Sequence, residues 1–427
     1  MVNLNLMYCH FKMTKSTSSG IKIPFPFSPN IRILFTHLLE NGDEARIVGG
    51  AVRDFLAGKK NSDIVDIDLA CKYLPQTTSA LLEDRQIKVI ASGIKYGTIT
   101  AIINKEQFQI TTLRRDTKNF GRDCEVEFVD NFFEDAKRRD FTINALSVDF
   151  AGQLYDYFGG FEDLKKHIVK FIGDANERIK EDYLRILRFF RFSCHYAKKL
   201  DQDGLSACIE NKNYLQSLSA ERIRAELFKM FECKNRDNLF SILKTMLDVG
   251  ILELIIREPS KQRLDGLKNL FYLEKILDHR FTPLMILAVI SGTQDLRLSL
   301  SNSEKKYLQS ITQTKLIADF KISEKNLLKL LLEFDQKELL DIFTIQLVLN
   351  NNFKNLIDDF LQLSKIVHLI QIPNFPINGH DLIDLKIKSQ NIGKVLKIAQ
   401  THWWENDYSI NKNEILSFIK NNCAQFK

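Results

Sequence analysis

An α+β fold is predicted: a small head built on a mixed sheet, followed by a chain that is helical to its end. Three observations predict it. Four short β-prone runs, Ala45–Val48, Ile87–Ile90, Thr98–Ile103 and Phe108–Leu113, interleave with helical patterns. A glycine pair, Gly49-Gly50, joins the first run to a helix start near Val52. Beyond Asp163 the apolar spacing is helical almost throughout.

Residues 1–24 read as a disordered leader, with Met13 as an alternative start. A proline-rich entry then leads into an amphipathic helix, Ile31–Leu39. Pro75–Asp84 is expected to be helical and opens on a proline, which suits a first helical turn. The head spans 25–159, a helical neck 160–255, and a helical body and tail 256–427. A chain of 427 residues accommodates two to four domains. With 44% hydrophobic and 27% charged residues the composition is that of a soluble globular protein. The net charge of +6 is compatible with a nucleic-acid partner. Seven scattered cysteines without a Cys-x-x-Cys spacing suggest neither a disulfide framework nor a zinc site, so a reducing cytoplasm is expected. No signal peptide and no apolar run of about 20 residues is seen, so no membrane is implied.

Chemistry concentrates in three stretches. In the first, Arg-Ile-Val-Gly-Gly-Ala-Val-Arg-Asp at 46–54 is followed by Asp66-Ile67-Asp68. Backbone amides at Gly49 and Gly50 could approach a phosphate, and Arg53 could add a bidentate contact. Asp66 and Asp68 share a strand face, where two carboxylates repel unless a cation lies between them. Mg²⁺ takes oxygen ligands and keeps company with phosphates, so the pair reads as a metal site for a nucleoside triphosphate. The plainer reading is a Gly-Gly loop before a solvated acidic strand end.

In the second stretch, Arg138-Arg139-Asp140-Phe141-Thr142-Ile143-Asn144, arginines, a carboxylate and an amide gather at an expected helix start. Arg139 suits triphosphate oxygens, Asp140 a ribose hydroxyl, and Asn144 lies one turn on. The plainer reading is a basic, capped helix end. The third stretch, Glu181–Phe192, is read as one helix whose face carries Glu181, Arg185 and Arg188, with Asp182 three residues from Arg185. A salt-bridged helix, or one lying on RNA phosphates, would look similar. Cytosine and adenine share an amino donor beside a ring-nitrogen acceptor. Asp182 accepting and Arg185 donating would therefore admit both and leave guanine or uracil unpaired. Arg222, after a capping Ser219, could brace this helix.

In this order the three stretches resemble the motifs of the polymerase-β-like nucleotidyltransferases. More narrowly, they resemble the class II tRNA CCA-adding enzymes and the related bacterial poly(A) polymerases. The resemblance implies a polymerase-β-like head with a mixed sheet, followed by all-α neck, body and tail. It implies two Mg²⁺ ions on catalytic Asp66 and Asp68, and nucleotide contacts from Gly49, Gly50, Arg53, Arg139, Asp140, Asn144, Asp182, Arg185 and Arg188. Glu181, Arg114 and Arg222 are supporting residues. The implied reaction is template-independent addition of CCA to tRNA 3′ ends from CTP and ATP; no protein partner is implied. Departures from the family pattern are Tyr96, Gln109, Phe120, Asp123 and Ala175, with 116–127 matching the family's flexible loop in length. Poly(A) synthesis and A-only addition are the nearest alternatives, and Ser92–Thr100, in place of the poly(A) polymerase motif, favours tRNA. An inactive RNA-binding protein of the same fold is the alternative from another class. In the tail, His380-Asp381 reads as a surface turn and Trp403-Trp404 as packing.

Overall fold

The computed structural model describes residues 21–40, 44–60, 62, 64, 66–120, 123–256, 259–291, 296–316, 320–371, 373–406 and 408–423. The chain divides into two compact units, Met1–Arg257 with Asp295–Ser299, and Glu258–Gln294 with Leu300–Lys427.

The first unit begins with β1 (Ile21–Lys22), α1 (Pro29–Leu38), β2 (Ala45–Val48), α2 (Gly50–Leu56), β3 (Asp68–Cys71) and α3 (Pro75–Asp84). It continues with β4 (Lys88–Gly93), β5 (Thr98–Ile103), β6 (Glu106–Thr112), β7 (Arg114–Phe120), β8 (Asp123–Phe128), α4 (Phe132–Lys137), β9 (Ser147–Val148) and β10 (Gln153–Tyr155). Helices α5 (Gly160–Lys165), α6 (Ala175–Glu181), α7 (Leu184–Tyr196), α8 (Gln202–Asn211), α9 (Ala220–Phe231) and α10 (Arg236–Asp248) complete it. Among the described residues the main sheet has the order β1-β10-β9-β2-β3-β6-β5-β4. It is mixed, because β3 and β6 run parallel while the other pairs are antiparallel.

Local chemistry explains the elements. Ser28 caps α1 by accepting from the Ile31 amide, and Pro29 fits the first turn. Strand β2 is buried along its length and lies mid-sheet, which is why it carries no polar alternation. Strand β5 alternates half-buried and buried residues, as a strand with one covered face must. The head core packs Ile31, Leu34, Phe35 and Leu38 of α1 against Ile47, Leu69, Ile99 and Ile110 of the sheet.

Four expectations need correction. Residues 21 and 22, assigned to the leader, pair with β10, while 1–20 lie outside the described residues. The stretch 116–127, read as a loop, belongs mostly to a two-stranded ladder, β7–β8, and Gly121-Arg122 lies outside the described residues. Its polar sequence lacks the apolar alternation that marks a strand covered on one face. Arg138 and Arg139 follow the end of α4 instead of opening a helix, and Thr142–Asn144 is a single 3-10 turn. The helix expected over 181–192 is broken: α6 ends at Glu181, Asp182 is extended (φ −156°, ψ 106°), and α7 begins at Leu184. The Asp182 carboxylate accepts from the Leu184 amide at 3.1 Å, a cap that competes with continued helix.

Helix α5 abuts the 3-10 turn closely. A Cβ on Gly160 would fall 2.1 Å from the Thr142 carbonyl oxygen and 2.6 Å from its carbon. Gly160→Ala is therefore expected to cost about 1–3 kcal/mol of stability by overpacking backbone on backbone, read as a lowered Tm.

The second unit consists of α11 (Lys261–Leu277), α12 (Pro283–Ser291), α13 (Asn302–Gln313), α14 (Glu324–Glu333), α15 (Gln336–Val348), α16 (Phe353–Leu369), α17 (Gly379–Asp384), α18 (Ile392–Glu405) and α19 (Lys412–Asn422). Trp403 is buried against Phe375 and Tyr408. His380 and Asp381, expected as a surface turn, lie in the first turn of α17, which Asn378 caps; Asp381 accepts from the Asn378 amide at 2.8 Å and pairs with Lys412 at 2.6 Å.

Candidate active site

The site grows from the turn between β2 and α2. Gly49 has φ +72°, a conformation that costs a side-chain-bearing residue energy, and a Cβ there would meet Arg139 Nη1 at 2.6 Å. The glycine thus clears a path for a guanidinium. Its own amide donates to the Leu146 carbonyl at 2.9 Å, so that N–H is spent on the fold instead of on a phosphate. Gly50 begins α2.

Register places the carboxylates. Val48 of β2 lies opposite Asp68 of β3, so the end of β2 brings the glycine turn beside the acidic residues. Asp68 is half-buried and Asp66, just before the strand, is exposed. Burial holds the Asp68 carboxyl above its ordinary range; the Arg139 charge opposes this and the Asp66 charge adds to it. Two carboxylates and the Arg139 guanidinium therefore share one electrostatic neighbourhood. On the other side of β3, Gln109 of β6 pairs in register with Asp68, a neutral amide at the sheet position adjoining the carboxylate.

Arg139 is held from behind. Its Nη2 donates to Asp135 at 3.2 Å and its Nη1 to the Asn144 carbonyl at 3.3 Å. Asp135 is buried and also takes Arg138. Burial would raise its carboxyl, but the two arginines outweigh that and hold it below the ordinary range. The sequence reading missed Asp135, although its spacing of three and four residues from Arg138 and Arg139 is that of helix-face partners. Arg178, noted in the sequence only as the end of the 173–178 turn, donates to the carbonyls of both Arg138 and Arg139 and to Glu181. No local spacing signals that contact.

Arg53 and Asp140 are both buried and bonded within the protein. Arg53 is only 8% exposed; it donates to Asn144 Oδ1 and Asp54 and lies over the Tyr196 ring at 4.5 Å. Its guanidinium therefore links the glycine turn's helix to Asn144. Asp140 Oδ1 accepts from the Phe141 amide and Asn144 Nδ2, both at 2.9 Å. Its Oδ2 accepts from Arg188 Nε at 2.7 Å and Nη2 at 2.6 Å. Both Asp140 oxygens thus accept from protein donors, which fixes the carboxylate between Asn144 and Arg188. Arg188 is correspondingly tied to Asp140 and, at 3.7 Å, to Glu226, which also accepts from Arg191.

The break between α6 and α7 sets out the remaining residues. Asp182 is half-exposed, and Arg222 of α9 donates to its Oδ2 at 2.7 Å. Arg185 donates to Glu181 and to the Arg178 carbonyl at 2.8 Å. Glu181 and Arg222 thus stand where they brace Arg185 and Asp182. Arg114 donates to the Tyr96 carbonyl, joining β7 to the turn before β5.

Residues 45–170 match the family described as the poly A polymerase head domain, and 199–262 that described as the probable RNA and SrmB-binding site of polymerase A. The chain is 35% identical over 421 residues to human "CCA tRNA nucleotidyltransferase 1, mitochondrial", covering 92% of each. Its fold resembles that of the Bacillus stearothermophilus CCA-adding enzyme solved in complex with CTP. That likeness has a TM-score of 0.63 at 23% identity and covers 93% of this chain and 99% of the other. The Thermotoga maritima CCA-adding enzyme, solved with tRNA, gives a TM-score of 0.60 at 23% identity and covers 93% of this chain and 96% of the other. From the human relative, similar across nearly the whole of both chains, this chain belongs to the CCA tRNA nucleotidyltransferase family.

Proposed function

We propose that this protein adds CCA to tRNA 3′ ends, without a nucleic-acid template, from CTP and ATP. One observation carries the reading: Arg139, anchored by Asp135, passes the side-chain-free Gly49 to reach the neighbourhood of Asp66 and Asp68. That arrangement sets a triphosphate-binding cation beside a carboxylate pair suited to divalent metal.

The donor set fits Mg²⁺. Asp66 and Asp68 offer only hard oxygen ligands, and burial together with the Asp66 charge outweighs the Arg139 charge in holding the Asp68 carboxyl above its ordinary range, which favours a further cation. Among the described residues no group of three or more His, Cys, Asp or Glu forms a metal cage, so the remaining ligands would be triphosphate, RNA and water oxygens. When bound, Mg²⁺ supplies activation of the RNA 3′-hydroxyl and neutralisation of triphosphate charge. The protein's own residues do the rest. Arg139 orients the triphosphate. Asp182, fixed by Arg222, accepts from the exocyclic amino group of cytosine or adenine, and Arg185, fixed by Glu181, donates to the adjacent ring nitrogen. Guanine and uracil would leave both groups unpaired, which discriminates strongly. Asn144, held by Arg53 and Asp140, fixes the backbone that Arg139 grips. We assign base selection to the neck (160–255) and tRNA binding to the helices beyond 256.

For location, the free thiols among the described cysteines fit a reducing compartment, and no described helix is long and apolar enough to cross a membrane. The cytoplasm fits, and so does the mitochondrial interior suggested by the human relative's name. Fractionation decides between them.

The test incubates the purified protein with Mg²⁺ and tRNAs ending before CCA, after C and after CC, with each nucleotide singly and with CTP and ATP together. C, C, A addition that then stops is expected. Long A tails on any RNA would reassign the protein to poly(A) synthesis, and A addition only after CC to A-only activity. Asp182→Ala is expected to lose preference for CTP and ATP over UTP and GTP by about 10²-fold, read as a ratio of kcat/KM values.

A further inference from the structure

We propose that the stacked pair Tyr183–Tyr214 is a platform for the terminal nucleobase of the RNA being extended. The inference rests on the nucleotidyl-transfer reading above and adds a site for the second substrate. Tyr183 follows Asp182 directly and precedes α7; Tyr214 lies in the 3-10 helix Lys212–Ser217, just before the cap of α9. The two rings stack with centroids 4.4 Å apart and planes 8° from parallel. Tyr214 is 53% exposed, so its ring remains largely in water after Tyr183 has covered one side. Large aromatics usually bury their faces, and the Phe171–Phe189 stack of the same unit does so.

The surroundings suit RNA. Lys212 lies two residues from Tyr214 and donates to the Val249 carbonyl. Arg297 donates from Nη2 to the Gln216 carbonyl at 2.8 Å, two residues on the other side. Lys180, three residues before Tyr183, is exposed. Aromatic faces among cations are the pattern of single-stranded RNA binding. The chemistry of the reaction explains why stacking is needed here. The incoming base must be read by its edge, which falls to Asp182 and Arg185. The RNA end differs at each addition, so it must be held without being read. Every base has a π-face, and stacking on tyrosine is tolerant of sequence.

The experiment uses the full chain and tRNA primers ending before CCA, with 2-aminopurine as the terminal base. Binding is followed by fluorescence quenching in EDTA without nucleotide, and turnover by KM for primer and for CTP with unmodified primers. Tyr214→Leu is expected to lose most of the quenching and raise KM for primer about tenfold, with KM for CTP unchanged. Tyr214→Trp is expected to restore both. Tyr214 is exposed, so an unchanged Tm is expected to show that the variants fold. Unchanged quenching and primer KM in Tyr214→Leu, or an effect on CTP alone, would overturn the platform. Tyr214-dependent quenching in a wild-type protein that transfers no nucleotide would instead overturn the function and leave the platform standing.

Discussion

Replacing Asp68 by asparagine is expected to abolish nucleotide incorporation without harming the fold. Asparagine keeps the shape and loses the charge. In the magnesium-bound state the two carboxylates supply the only protein charge that holds the metal in this proposal, and a neutral amide is a far weaker ligand. The expected loss is at least about 10³-fold in kcat/KM, or about 4 kcal/mol of transition-state stabilisation. Folding responds in the opposite sense. Without metal, Asp68 holds a charge that burial and Asp66 both disfavour. The variant's Tm in EDTA is therefore expected to equal or exceed that of wild type. Measured together, the two readouts separate a ligand from a structural residue: a drop in Tm with retained activity would sink the metal assignment.

Asp140→Ala is expected to act the other way, on stability first. Asp140 is 6% exposed and takes four protein donors, two of them from Arg188. Alanine would leave Arg188 only its longer contact with Glu226 at 3.7 Å and release Asn144, the partner of Arg53 and the residue whose carbonyl takes Arg139. The carboxylate is buried but the Arg188 side chain is 30% exposed, so the loss is expected to be about 2–3 kcal/mol, still a large part of the stability of a typical domain. The pH dependence follows from the same contacts. Burial alone would raise the Asp140 carboxyl, but the Arg188 charge, the Asn144 and Arg188 hydrogen bonds and the Phe141 amide outweigh it and hold the group below its ordinary range. A carboxyl lowered on folding contributes stability above its unfolded value and loses it as pH falls through the folded value. Wild-type Tm is expected to fall on acidification below pH 4, and Asp140→Asn to show a lower Tm at pH 7 with a flatter acid limb. Thermal melts between pH 3 and 8 check both slopes.

What the sequence determined by itself is local. Pro75–Asp84 and Thr98–Ile103 form the helix and strand that were expected, because a proline at a first turn and alternating burial act over a few residues. The glycine turn between strand and helix was legible for the same reason, whereas Asp66, expected on the strand face of Asp68, lies just before a strand that begins at Asp68. The tertiary structure decided which partner inside the protein each charged group takes. Arg53 and Arg139 are both arginines in glycine- or arginine-rich motifs, yet one is buried on Asn144, 91 residues away, and the other is drawn towards Asp68. Asp140 looks as available as Asp182, but Arg188, 48 residues on, takes its outer oxygen. Periodicity suggested one helix over 181–192, and a single aspartate, held by Arg222 forty residues away, accompanies the break that places Asp182 outside both helices. A guanidinium and a carboxylate pair with whatever the fold brings within about 3 Å, and that partner is a property of three-dimensional packing, which spacing along the chain does not encode.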